Sequence, residues 1–161
     1  EAARQLAVGS VVFNDLKQDI QGPVEIDTRA LDATIAGFEK SGGAYVVYSA
    51  CRARSILRKY GAPPPRAETL SQITLDAQEA NLLLRIQQIP ERVIAAAEQA
   101  TPTLLIRHLL DLAGVYNTYY ARAQVITSEG VDLTRLVITK AVEVSLTSAL
   151  RICHIQCPPT I

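Results

Sequence analysis

Tyr45, Tyr48, Arg52, Ser55 and Lys59 recur in steps of three and four residues, so on a helix they fall along one stripe. That stripe would carry two aromatic faces, a guanidinium, a hydroxyl and an ammonium. Such groups suit single-stranded RNA, whose unpaired bases stack on aromatic rings while cations take the phosphates. The same segment has an apolar stripe, Val46, Ala50, Ala53, Leu57 and Tyr60. It therefore also reads as an ordinary amphipathic helix with tyrosines at the core margin. A second constellation is Tyr116-Asn117-Thr118-Tyr119-Tyr120. Tyr116 and Tyr119 share the apolar stripe of their segment and are expected in the core, with hydroxyls that need partners. Asn117 and Tyr120 point elsewhere and could meet a ligand.

Charge has to be local for any nucleic-acid role. Sixteen basic and sixteen acidic residues cancel, and phosphate binding needs concentrated positive charge. The candidate patch is Arg52, Arg54, Arg58 and Lys59, with Arg66 beyond. Zero net charge is the best support for a third reading, a helical protein-interaction domain with no RNA role. Other chemistry has little to stand on. Cys153-His154-Ile155-Gln156-Cys157 offers three ligands where a structural zinc site takes four, so these cysteines read as buried or partly buried thiols. Three cysteines without a framework fit a reducing compartment. His108 follows Arg107 off the apolar stripe and is expected at the surface or margin. There is no Gly-rich phosphate loop, nucleophile elbow or His-Glu-x-x-His pattern.

The elements that must position these groups are helical. The 161 residues are 48% hydrophobic, mostly aliphatic, and only 5% aromatic, which suits one domain with an aliphatic core. No apolar run reaches the length of a membrane span. The chain starts Glu1-Ala2-Ala3-Arg4 without a signal peptide, as if upstream sequence were missing. Helical spacing predicts a helix over 1–16, a turn at Gln21-Gly22-Pro23 and a short extended piece at Val24-Glu25-Ile26. Asp27 or Thr28 would cap a helix over 29–38, and the two-faced helix would run from 44 to 60. The stiff linker Gly61-Ala62-Pro63-Pro64-Pro65 follows. Leu70, Ile73, Ala77, Ala80 and Leu84 keep helical spacing up to Pro90, which would open a short helix ending at 99. Thr101 would cap, and Pro102 begin, the strongest helix, carrying Leu105, Leu109, Leu112, Tyr116, Tyr119, Ala123 and Ile126. Asp132 would cap a last helix with Ile138, Val142, Ser145, Ala149 and Ile152 in phase, ended by Pro158-Pro159. Short loops and no convincing strand pair predict an all-α antiparallel helical bundle.

The order of these motifs resembles the α-helical DALR-type anticodon-binding domain at the C-terminus of arginyl-tRNA synthetases. That family's usual Tyr-Leu-Gln-Tyr-Ala-His-Ala-Arg stands here as Tyr45-Val46-Val47-Tyr48-Ser49-Ala50-Cys51-Arg52. Its Asp-Leu-Ala-x-x-Phe-Asn-x-Phe-Tyr stands as Asp111-Leu112-Ala113-Gly114-Val115-Tyr116-Asn117-Thr118-Tyr119-Tyr120. Val47 and Ala50 replace a Gln and a His, which removes two polar groups, and the preceding Phe-Glu-Gly-x-Thr-Gly-Pro is reduced to Phe38-Glu39-Lys40-Ser41-Gly42-Gly43-Ala44.

The resemblance implies a bundle of the class I synthetase anticodon-binding type over residues 39–161. Residues 1–38 would be the junction to a catalytic domain of the same polypeptide, and residues 155–161 would sit at the family's own C-terminus. It implies capture of the anticodon loop of tRNA(Arg) by Tyr45, Tyr48, Arg52, Arg58, Lys59, Asn117 and Tyr120, with no catalysis by this chain alone. No cofactor is expected in this chain, and ATP and magnesium are expected for the parent enzyme, an ATP-dependent arginine–tRNA ligase. A cytoplasmic monomer is implied. A non-catalytic adaptor built on the same module, binding tRNA or a protein, is the alternative.

Overall fold

A helix whose apolar residues recur every three or four positions must bury that stripe, and segments 103–122 and 133–152, 20 residues each, are the longest such cases. The computed structural model describes residues 1–18, 22, 27–70 and 73–159. In it the helices are α1 (Ala2–Lys17), α2 (Leu31–Lys40), α3 (Gly43–Tyr60), α4 (Ala77–Gln87), α5 (Ile89–Glu98), α6 (Thr103–Arg122) and α7 (Leu133–Ile152). Beyond one isolated bridge, Ile126 to Val131, no β-pairing is found among the described residues. The fold is all-α. None of the described helices is long and apolar enough to cross a membrane.

α6 is the hub. Leu105, Leu109, Leu112, Tyr116 and Tyr119 are all buried on it, and α1, α3, α4, α5 and α7 pack around it. Burying each such side chain contributes roughly 1.5–3 kcal/mol of transfer free energy. α3 contributes Val46, Val47, Ala50 and Ala53 to the same core, and α7 contributes Leu136, Val142, Leu146 and Leu150. The chain turns from α6 into α7 through a tight hairpin, with the Thr127 N–H donating to Gly130 O at 2.9 Å. Asp132 then caps α7, its carboxylate accepting from the Arg135 N–H at 3.0 Å.

α1 crosses α3 closely, and two glycines permit it. Gly42 precedes α3 with φ 96°, a left-handed conformation costly for any residue with a Cβ. A Cβ on Gly43 would lie 2.8 Å from Phe13 Cβ and 3.0 Å from Ser10 Cα. Gly43→Ala must therefore push α1 away and is expected to cost about 1–3 kcal/mol, the usual overpacking penalty. Urea unfolding would measure it; an unchanged midpoint would mean that the crossing is not tight.

Several boundaries differ from the sequence reading. α2 starts at Leu31, not Arg29, because Asp27 takes the Arg29 N–H at 2.8 Å and holds a turn ahead of the helix. α4 does not reach back to Leu70. Asp76 accepts from the Gln78 and Glu79 N–H groups, Glu79 accepts from the Asp76 N–H, and this reciprocal cap starts the helix at Ala77. The phase of α4 then buries Leu82 and leaves Leu84 exposed. Thr101 does not cap α6; its hydroxyl donates to Gln99 O at 2.9 Å, and Pro102 is the capping residue. Ile152 is exposed, because the chain reverses at His154, with φ 56°, and Ile155 fills the core position. The expected extended piece at 24–26 lies outside the described residues, as do Gln21 and Pro23 of the expected turn and the last two residues, 160–161.

Candidate nucleic-acid interface

α3 and α6 run side by side in the same direction. Asn117 meets Ser49, Arg52 meets Tyr120, and Lys59 shares a groove with Tyr120 and Gln124. The cleft between them carries the polar stripe of α3 along one wall.

Exposure separates five of the six tyrosines into two groups, and Tyr60 is half-buried. Tyr45, Tyr48 and Tyr120 are 43%, 44% and 40% exposed, whereas Tyr116 and Tyr119 are 1% and 2% exposed. The buried pair behaves as the apolar spacing predicted. Burial, foremost, raises both phenols well above their ordinary value of 10.0. Tyr119 donates to Glu79 Oε1 at 3.2 Å, while the Tyr116 hydroxyl has no partner among the described residues. The Tyr116 ring supports Tyr120 instead, their centroids 6.3 Å apart.

Arg52 organises the middle of the cleft. Its guanidinium lies 5.0 Å from the centroid of the Tyr120 ring and donates to Asn117 Oδ1. Asn117 in turn donates to Ser49 Oγ at 2.7 Å and to Ala113 O at 2.9 Å. Both amide hydrogens are thus used, and the geometry makes Asn117 a support for Arg52 rather than a free amide. Tyr48, Arg52, Ser55, Arg58 and Lys59 line a groove of about 420 Å³ with Tyr120. Tyr45 does not line it. One turn earlier, Tyr45 lines a separate groove of about 480 Å³ with residues of α4 and α6.

The neutral sequence hides an uncompensated patch. Among the described residues, Arg54, Arg85, Arg135 and Lys140 all pair with carboxylates, and Arg52, Arg58 and Lys59 do not. Glu79, Asp111, Asp132 and Glu143 take those partners, and no carboxylate lines the groove that holds Arg52, Arg58 and Lys59, which leaves it cationic.

Arg54 does not belong to that patch, contrary to the sequence reading. It turns to the opposite side of α3, where its Nε donates to Glu143 Oε1 at 3.1 Å. Its other nitrogens donate to Thr147 Oγ1 at 3.2 Å and Pro158 O at 2.9 Å. The Cys51 thiol donates to the same Pro158 oxygen at 3.3 Å. These bonds tie the C-terminal segment across the back of the cleft. Helical phase carried the signal, since Arg54 follows Ala50 by four residues on the buried side. Arg66 is exposed and stands outside the groove.

His108 is buried, contrary to expectation, with Nε2 2.8 Å from Arg85 O. It joins α6 to α4, because α6 is covered on more than its one apolar stripe. Burial raises the thiols of Cys51 and Cys153 and, as the largest effect, pushes Cys157 up to about 11. These are poor nucleophiles at neutral pH. Among the described residues no three His, Cys, Asp or Glu side chains converge as a metal site.

Positions 47 and 50, where the resembled family has Gln and His, are fully buried. Val47 and Ala50 therefore change the core, and the cleft surface keeps its polar groups.

The family profile described as DALR anticodon binding domain matches residues 46–161. The arginine–tRNA ligase of Limosilactobacillus fermentum is 35% identical over 159 residues, covering 98% of this chain and 27% of that protein. The arginine–tRNA ligase of Enterococcus faecalis is 34% identical over 158 residues, with 98% and 27% coverage. The solved arginyl-tRNA synthetase of Thermus thermophilus superposes with a TM-score of 0.81 at 32% identity, covering 99% of this chain and 27% of that one. The chain thus spans 27% of the length of these relatives.

Proposed function

We propose, for a chain that belongs to the DALR anticodon-binding domain family and is homologous to arginyl-tRNA synthetases, that its α3–α6 cleft holds the anticodon loop of tRNA(Arg). The observation that carries this reading is the groove itself: exposed Tyr48 and Tyr120 rings flank Arg52, with unpaired Arg58 and Lys59 alongside. Loop bases would unstack onto Tyr48 and Tyr120, and the three cations would hold phosphates. Tyr45 would extend the row at one end, and Asn117 would keep Arg52 in place.

The parent protein, in this reading, is an ATP-dependent arginine–tRNA ligase of the cytoplasm acting as a monomer. Residues 1–38 would join the bundle to the catalytic domain of the same polypeptide. ATP and magnesium would be held by that domain.

Filter binding of this chain to tRNA(Arg) and a non-cognate tRNA at two salt concentrations tests the reading. A stacked base contributes about 1–3 kcal/mol, so Tyr48→Ala should weaken tRNA(Arg) binding roughly tenfold. Unchanged affinity would remove Tyr48 from the interface. Equal affinity for both tRNAs in the unsubstituted chain would favour general RNA attachment over anticodon reading.

A further inference from the structure

The groove beside Tyr45 differs in chemistry from the cationic one. It lies between α3 and α4 over α6, encloses about 480 Å³, and is lined by Tyr45, Gln78, Asn81, Asp111 and Thr118 among others. Gln78 and Asn81 stand three apart on α4 and so share a face. Among the described residues neither side-chain amide has a hydrogen-bond partner, in contrast to the saturated amide of Asn117. Asp111 is already matched by Arg85. The pocket is therefore a neutral space with an aromatic wall, 43% exposed, and two free carboxamides.

A phosphate would find no unpaired cation there, and an apolar ligand would leave both amides unmade. A flat heterocycle with a donor and an acceptor on one edge satisfies every group. Carboxamides pair in this way with adenine, whose amino group donates to the amide oxygen while a ring nitrogen accepts from the amide N–H. Tyr45 and Arg52 lie seven residues apart on one helix, a rise of roughly 10 Å. A strand whose phosphates are held at Arg52 can therefore deliver a neighbouring base to this pocket.

From this geometry we infer that the Tyr45 pocket is a second nucleotide subsite, which takes one unpaired adenine stacked on Tyr45 and reads its edge with Gln78 and Asn81. The inference rests on the reading that the cleft binds an RNA loop, and it assigns base discrimination to α4, outside the two tyrosine-bearing helices. Arg52, Arg58 and Lys59 supply attachment. Gln78 and Asn81 supply choice.

The test uses the 161-residue chain, the double variant Gln78→Ala/Asn81→Ala and the single variant Tyr48→Ala. Each is titrated with a tRNA(Arg) transcript and with transcripts in which every adenine of the anticodon loop is replaced in turn by uracil. The double variant should bind the parent transcript about tenfold more weakly, the span of one base contact, with its salt dependence unchanged because no charge is lost. One uracil transcript should show the same loss with the unsubstituted chain and no further loss with the double variant. Full affinity of the double variant, with Tyr48→Ala still impaired, would overturn the subsite and leave the cleft intact. Full affinity of both variants would overturn the reading of the cleft itself. Loss by the double variant with equal sensitivity to every substitution would show a pocket that does not select adenine, and would also overturn the proposal.

Discussion

Arg54→Ala should lower the unfolding free energy by about 2–3 kcal/mol, somewhat below the 3–5 kcal/mol typical when one partner of a fully buried ion pair is removed. The reduction reflects the remaining exposure of the pair, 22% for the Arg54 side chain and 10% for Glu143, and the Lys140 Nζ that still donates to Glu143 Oε2 at 2.9 Å. The substitution deletes bonds to Glu143, Thr147 and Pro158 at once, so α3, α7 and the C-terminal segment all lose a tie. Urea unfolding at pH 7 would show it as a fall in midpoint with little change in slope. An unchanged midpoint would mean that the C-terminal segment is held by other contacts.

The same pair sets a pH dependence. Burial alone would raise the Glu143 carboxyl, but hydrogen bonds from Lys140 and Arg54, and their charges, outweigh it and hold the group below its ordinary 4.5. A carboxylate depressed in the folded state contributes stability above its unfolded value, and that contribution is lost as pH falls through the folded value. The chain should therefore lose stability from about pH 4.5 downward, through protonation of Glu143 among other acids. In Arg54→Ala one of the two depressing partners is gone, so the acid loss should be shallower. Parallel loss in both proteins would dissociate Glu143 from it.

Arg52→Ala is the binding counterpart. It removes a phosphate-capable guanidinium, the cation over Tyr120 and the partner of Asn117 Oδ1 together. About 2 kcal/mol of lost affinity is expected, or roughly 30-fold in Kd. Because phosphates carry no sequence, cognate and non-cognate tRNA should weaken alike, and the salt slope should fall by about one. Arg52→Lys should restore the slope but only part of the affinity, since an ammonium keeps the charge and loses the planar face over Tyr120. A loss confined to tRNA(Arg) would instead make Arg52 a reader of bases.

Much of the architecture was legible because amphipathic period and helix face coincide. The stripe Leu105, Leu109, Leu112, Tyr116, Tyr119 buried as spaced, and the stripe Tyr45, Tyr48, Arg52, Ser55, Lys59 stayed exposed. Period failed where a stronger local signal overrode it. Leu70 and Ile73 keep helical spacing with Ala77, yet the Asp76–Glu79 capping box, itself visible as Asp-x-x-Glu, starts the helix later. Period also says nothing about helices covered on several sides, which is why His108 is buried off the main stripe of α6.

The residues themselves determined that this chain is an aliphatic helical bundle with two tyrosine-bearing helices, because side-chain period is a property of a single segment. Which charges remain free was a tertiary decision. Arg54 and Arg52 are two residues apart in one basic run, yet one closes an ion pair with α7 and the other stands open over Tyr120. Their carboxylate and aromatic partners lie 89 and 68 residues away along the chain, and only the packing of α3 against α6 and α7 brings them within reach.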